Sequence, residues 1–307
     1  MNLENIHSKL AVKKLRIMEY FGVAFDVFRV ILKEDKLFVV FVFLIIGARI
    51  IMSGLEYKYT IDIDYYNISG EQFEVIATLK KVFDALNFVI FIITVIFSGY
   101  FHRVIALKIE NRENEMDLKD FSLKMLNLIG LIVFGEVILV ILGFLGMFGA
   151  IIAMFCIVMI LCLSVGIFLY FEAYYIRDIG LLDLADYSLK LCDKNRFRKI
   201  FPTIVFEIGA IGVYYAILQI FITDVSVVSV KILISVVLVI ILTFIGIYTY
   251  ALNTVIFLNV EYDYFKNHKD SQFNFKNDDK IEGNPQVLNR FLSKNKDENT
   301  SKSDENK

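Results

Sequence analysis

Four ionisable residues lie inside long apolar runs of this sequence, namely Arg49, Asp84, Glu136 and Glu207. A charge at the centre of a membrane helix costs about 2.5–3.5 kcal/mol on insertion scales, so each of these residues raises a functional question. The spacing places Arg49 and Asp84 at similar depths, which predicts an ion pair between them. A structural pair, or snorkelling of both side chains to the outer interface, is the simpler interpretation.

The two glutamates admit three interpretations. Glu136 is predicted near the middle of the membrane, and Glu207 roughly 11 Å into its span. Facing each other across a polar cavity with Asn87, Gln219 and Asn253, they would form a proton or cation pathway. Interhelical hydrogen bonding without transport is the simpler alternative. An intramembrane enzyme that uses both carboxyl groups is the least favoured of the three.

The remaining residues give no catalytic pattern. The three histidines are scattered outside the apolar runs, and the three cysteines have no metal-site spacing. The sequence contains no nucleophile elbow, zinc-protease helix or phosphate-binding glycine loop. The formal net charge of −2 argues against a nucleic-acid partner. We therefore expect a protein that is not an enzyme and that uses no metal or cofactor.

The apolar residues gather in blocks. They make up 57% of the 307 residues, against about 45–50% in soluble domains. The block 125–171 would be about 70 Å long as one helix, so it must fold back, and Gly143, Gly146 and Gly149 would supply the turn. The blocks predict an all-α membrane fold with six transmembrane helices, near 37–55, 82–101, 125–143, 150–171, 200–222 and 232–252.

Lysine and arginine predict the orientation. With the N-terminus inside, the cytoplasmic segments before the C-terminal tail hold 18 of these residues, and the outer segments hold 4. We expect a cytoplasmic N-terminus (1–36) with an amphipathic helix, a membrane domain (37–260) and a disordered cytoplasmic tail (261–307). The expected location is the bacterial inner or cell membrane, with both termini in the cytoplasm.

Three similar segments precede the odd-numbered spans, at 24–38, 119–128 and 184–201. Asp120 and Asp186 occupy equivalent positions in the second and third, where they are predicted as N-caps or first-turn acids. We interpret each segment as a cytoplasmic amphipathic helix that leads into a two-span hairpin, which gives three hairpins. A shared interfacial composition explains the similarity equally well.

The loop after the fourth span is the most patterned polar segment. Glu172 ends that span, a helix with Asp186 and Ser188 follows, and Asn195-Arg196 enters the fifth span. This layout resembles a group of bacterial integral membrane domains, some of which precede glycerophosphodiester phosphodiesterases while others stand alone. The Pro-Gly that the group often has between spans three and four is missing here. No phosphodiesterase domain follows, so the resemblance implies a membrane domain without that activity.

Two functions follow from these expectations. The first is a non-enzymatic polytopic membrane protein that serves membrane organisation or handles a lipid or envelope component, with the lipid bilayer as its partner. The alternative is the permease subunit of an exporter driven by a separate ATPase, which would dock on the 102–124 and 172–199 loops. Another membrane protein is a third partner class.

Overall fold

The computed structural model describes residues 3–60, 70–112, 118–146, 149, 154–155, 158, 169–217, 219 and 228–267. These residues form α-helices and contain no strand, which confirms the all-α prediction. The helices are α1 (Leu3–Val12), α2 (Ile17–Glu34), α3 (Lys36–Thr60), α4 (Gly70–Ile109), α5 (Leu118–Gly146), α6 (Tyr170–Ile176), α7 (Leu181–Cys192), α8 (Arg196–Ile217) and α9 (Val228–Asn267).

Four of the described helices are long and apolar enough to cross a membrane. These segments are Lys36–Leu55, Ala77–Ile109, Arg196–Ala216 and Leu233–Asn267. They overlap the predicted first, second, fifth and sixth spans. Most of the predicted fourth span (150–171) and the tail from residue 268 onward lie outside the described residues. Helix α5 covers the predicted third span and continues to Gly146, three residues beyond the predicted boundary.

Helix α2 is amphipathic. Its buried residues recur at helical spacing, which turns one face towards the other helices, and they are Tyr20, Val23, Ala24, Val27 and Ile31. Asp35 has an extended conformation and ends the helix. Its Oδ1 then accepts a hydrogen bond of 3.0 Å from the Phe38 N–H, which caps the start of α3. One residue therefore ends α2 and begins α3.

The other two predicted amphipathic segments differ in form. Residues 119–128 belong to the single long helix α5, and Asp120 lies in its first turn as expected. Residues 184–201 divide into the end of α7, a turn with Lys194 at a φ of 59°, and the start of α8. Asp186 lies in the middle of α7, where Asp183 occupies the first turn, so the N-cap prediction for Asp186 is wrong.

The packed core lies at one end of the helices. Among the described side chains of α5, the buried ones lie in its first eleven residues, and in α4 and α9 burial concentrates at Phe101–Ile109 and Ala251–Tyr262. By contrast, only 6–28% of each candidate span's most apolar window is buried. The helices therefore meet tightly at one end and present apolar side chains outward along the rest of their length.

Gly99 marks the closest approach within this packed end. A Cβ atom at this position would lie 2.6 Å from the Met125 sulfur and 3.0 Å from the Tyr175 ring. A larger residue at position 99 would therefore force the Met125 and Tyr175 side chains to move.

Candidate functional site

Arg177 is the centre of a buried ionic cluster at the packed end. It follows α6 directly, and its side chain is 5% exposed. Its Nη1 and Nη2 donate to the two carboxylate oxygens of Glu110, at 2.9 and 2.6 Å, and its Nε and Nη2 donate to the two oxygens of Glu261. Tyr262 and Tyr187 donate their hydroxyls to Glu110 and Glu261 respectively. This cluster joins α4, α6, α7 and α9.

The pairing keeps Glu110 ionised although it is buried. Burial alone raises the pKa of this carboxyl, but the charge and hydrogen bonds of Arg177, with smaller contributions from Tyr262 and Arg112, lower the pKa to about 2. The two carboxylates in turn raise the pKa of Arg177 well above its usual value, against the effect of burial. Burial, followed by the negative charge of Glu261, raises the pKa of Tyr187. Near neutral pH, Glu110 and Arg177 are therefore charged and Tyr187 is neutral.

A second ion pair lies beside the first. Arg103 donates two hydrogen bonds of 2.8 Å to the carboxylate of Asp178, a fork that fixes both groups. Lys124 lies 3.2 Å from the same carboxylate and also donates to the backbone carbonyl of Arg177. Burial lowers the pKa of Lys124 to about 8, although Asp178 opposes that shift. The first residues of α5 are thus tied to the end of α6.

Asn259 joins the N-terminal segment to α9. Its amide nitrogen donates to the carbonyls of Leu10 (2.7 Å) and Lys13 (2.9 Å). Its Oδ1 accepts from the Leu15 N–H, the Tyr20 hydroxyl and Arg198 Nη2. All the hydrogen-bonding capacity of this buried amide is used within the protein.

Arg198 extends this group of contacts towards α7. It donates to Asp263 (2.7 Å), to the side-chain Oδ1 of Asn195 (2.9 Å) and to the Tyr20 hydroxyl (3.1 Å). The start of α8 is therefore bound both to α2 and to the last turns of α9.

The loop residues singled out by sequence divide into a buried and an exposed group. Glu172 is buried and pairs with Lys199 at 2.5 Å, and Asn195 is buried beside Arg198. Ser188 is fully buried, and its hydroxyl has no hydrogen-bond partner in the described part of the chain. Asp186 is exposed and pairs with Lys190. Arg196 is also exposed.

Arg49 and Asp84, which the sequence predicts as a pair, lie at different levels of α3 and α4. Helices α3 and α4 are antiparallel, with Phe38 beside Phe101 and Phe41 beside Phe97. In this register Arg49 lies opposite about residue 90, so Asp84 lies roughly 9 Å further along the axis.

Of the residues predicted to line a polar cavity, the structure describes the side chains of Glu207 and Asn253 but not that of Glu136. Glu207 is exposed, as is Asp84. Asn253, a proposed partner in the polar cavity, accepts a hydrogen bond of 3.1 Å from Thr203 instead. The side chain of Glu136 lies outside the described residues.

The buried charges form a closed arrangement. Each carboxylate in the Arg177 cluster faces a guanidinium or a phenol, and no group of three metal-ligating side chains occurs in the ranges that the structure describes. His102, which is also buried, contacts the Thr254 hydroxyl through Nδ1 at 2.8 Å. The mutual pairing within the Arg177 cluster is suited to holding helices together.

Sequence reasoning missed Arg177, Glu110 and Glu261. Part of the signal was present, since apolar residues continue around Glu110 and Glu261 beyond the predicted second and sixth spans. A charge embedded in an apolar helical stretch outside the hydrocarbon core predicts a buried partner.

No protein-family model, curated protein or solved structure matches this chain.

Proposed function

We propose that this chain is a non-enzymatic membrane protein with six spans and both termini in the cytoplasm, which serves membrane organisation or handles a lipid component. The supporting observation is the separation of charge from the spans. The densest ionic contacts lie at one end and are mutually satisfied, whereas Asp84 and Glu207 are exposed on the surfaces of their helices. A path for ions across the membrane would need the opposite distribution.

The charge distribution supports a cytoplasmic location for the packed end. Its ion pairs are built from the segments between the second and third spans and between the fourth and fifth, which are two of the Lys/Arg-rich connections. The positive-inside rule assigns such short basic segments to the cytoplasm. The apolar faces above this end would then contact lipid.

The position of α2 supports an in-plane helix at the inner interface. At its start, the Leu15 N–H contacts Asn259 on α9, and at its end Asp35 lies 3.8 Å from Lys108 on α4. Lys108 is two residues before Glu110, which accepts a hydrogen bond from Tyr262, and Tyr262 is three residues after Asn259. The contacts at the two ends of α2 therefore lie at a similar level. An amphipathic helix with both ends at one level lies along the membrane surface.

The permease alternative has weaker support. A docking loop for an ATPase needs side chains directed outward, but the 172–199 segment uses Glu172, Arg177 and Lys199 in buried ion pairs. We therefore prefer the lipid-related role.

Purification in mild detergent tests this choice. We expect the protein to copurify with phospholipid at a composition different from that of the bulk membrane, as measured by mass spectrometry of extracted lipid, and without a stoichiometric ATPase. Copurification of an ATPase whose hydrolysis rate responds to this protein would contradict the proposal and favour the permease.

A further inference from the structure

A cavity opens at the surface of the packed end, between the α1–α2 and α7–α8 connections. Its volume is about 280 Å³. Charged and polar residues line it, although their carbon atoms supply most of its surface, and these residues are Lys14, Lys190, Lys194, Asp193, Asp263, Asn195, Tyr264 and Asn267. The volume is near the lower end of the range of about 300–1,000 Å³ for small-molecule pockets. It suits one compact polar group.

Most of the charges in this cavity are already compensated, and one positive charge remains. Asp263 accepts a hydrogen bond from Arg198, and Lys190 pairs with Asp186 outside the cavity. Lys14 also lies 4.0 Å from Asp263, so the cations Lys14, Lys194 and Arg198 outnumber the carboxylates Asp193 and Asp263 by one. The excess of one positive charge complements a group with one negative charge, such as a phosphodiester.

Two exposed apolar residues place the cavity at the membrane interface. Phe197, two residues after Asn195, is 83% exposed, and Met18, four residues after Lys14, is 77% exposed. Met18 comes two residues after the exposed Arg16, and Phe197 directly follows the exposed Arg196. A basic cluster followed by an exposed large apolar side chain is typical of segments at the headgroup boundary.

The same contacts give the depth of the cavity. Arg198 contacts Asn259, so Phe197 is close to the level of Asn259 on α9. Asp263 and Asn267 lie about 6 and 12 Å further along α9. The headgroup region of one leaflet is roughly 5–8 Å thick, so the upper part of the cavity lies within it.

From this placement we propose that the cavity binds the phosphodiester group of an anionic phospholipid, with Lys14 and Lys194 as the cations and with Phe197 and Met18 against the acyl chains. This inference rests on the proposed cytoplasmic location of the packed end. It adds a ligand class and a site to the lipid-related role.

The absence of tryptophan from the chain allows a local test. The substitution Phe197→Trp gives a single fluorophore beside the cavity at an exposed position. The full-length variant is reconstituted into nanodiscs of phosphatidylcholine with a small fraction of phosphatidylglycerol, and either lipid carries brominated chains. Stronger quenching by brominated phosphatidylglycerol than its mole fraction predicts measures selectivity at the site.

We expect this selectivity to fall by about fivefold or more in the variant Lys14→Gln/Lys194→Gln, because each lysine near an anionic surface contributes an attraction of that order. The matched control is Lys33→Gln/Lys36→Gln. It removes two exposed lysines at the other end of α2, and it should retain the selectivity.

Three results would overturn the proposal. They are selectivity that survives loss of Lys14 and Lys194, an equal fall in the control, and full displacement by inorganic phosphate at constant ionic strength, which would assign the site to a free anion. The quenching experiment reports only on lipid at the cavity. Copurification of an ATPase would therefore contradict the proposed function without contradicting lipid binding at this site.

Discussion

The packed end and the spans of this protein treat polar side chains in opposite ways. At the packed end, Arg177 is buried with two carboxylates, and Asn259 makes five hydrogen bonds. Along the spans, Glu207 and Asp84 are exposed on apolar helices. The difference teaches that buried charge at the packed end fixes helix positions, whereas Asp84 and Glu207 lie on helix surfaces. Substitutions in the two regions should therefore differ in their effect on stability.

The largest expected effect is that of Arg177→Met. This change leaves Glu110 and Glu261 buried together without their shared cation, and breaking such a pair costs about 3–5 kcal/mol. Thermal or denaturant unfolding in detergent should show this loss. Glu207→Gln is the control, and we expect a change of less than about 0.5 kcal/mol. Equal losses for the two variants would contradict the difference between the regions.

Lowering the pH should weaken the Arg177 cluster and so reduce the stability of the protein. The folded-state pKa of Glu110 is about 2, below the ordinary value of 4.5, so its stabilisation is complete above pH 4.5 and is lost as pH falls towards 2. The shift corresponds to on the order of 3 kcal/mol. Stability measured against pH should fall less steeply below pH 4.5 in Glu110→Gln than in the wild type. An identical slope in the two proteins would show that Glu110 is not the group that titrates.

Asn259→Leu should have an intermediate effect. It leaves the carbonyls of Leu10 and Lys13 and the Leu15 N–H without their partner, and each unsatisfied buried group costs about 1–3 kcal/mol unless water replaces the amide. Limited proteolysis should then cut first within residues 3–16. Unchanged protection of this segment would show that α1 is held by its apolar contacts alone.

The smallest effect is expected at Ser188. Its hydroxyl is buried without a partner among the described residues, so Ser188→Ala removes an unmet polar group and should be neutral or stabilising by up to about 1 kcal/mol. The measurement is the free energy of unfolding of this variant compared with that of the wild type. A loss of more than about 1 kcal/mol would mean that a bound water or ligand satisfies Ser188.

The sequence predicts the membrane-facing part of this fold better than the packed end. Long apolar blocks mark the helices that overlap four spans, because lipid contact depends on composition and length alone. The Arg177 cluster depends on residues 67 and 84 positions apart, and no local pattern encodes their contact. Asp186 is an example, because its similarity to Asp120 predicted a helix start there. The helix in fact begins five residues earlier, at Leu181.

The candidate functional residues also show that local patterns are easier to predict than contacts between helices. Glu172, chosen from the pattern of the loop, does lie in a buried ion pair with Lys199. Arg49 and Asp84 were paired by depth alone, and the helix register separates them. Depth in a membrane is readable from sequence, but the register between two helices depends on side-chain packing, here of Phe41 against Phe97.

Cysteine accessibility tests the central claim, which is that the packed end faces the cytoplasm and the opposite helix ends face outward. Single cysteines at Glu74 and Lys194, in a variant without the three native cysteines, would be treated with a membrane-impermeant maleimide in intact cells. We predict labelling at position 74 in intact cells, and at position 194 only after the membrane is permeabilised. Labelling of position 194 in intact cells, with position 74 protected, would contradict the account.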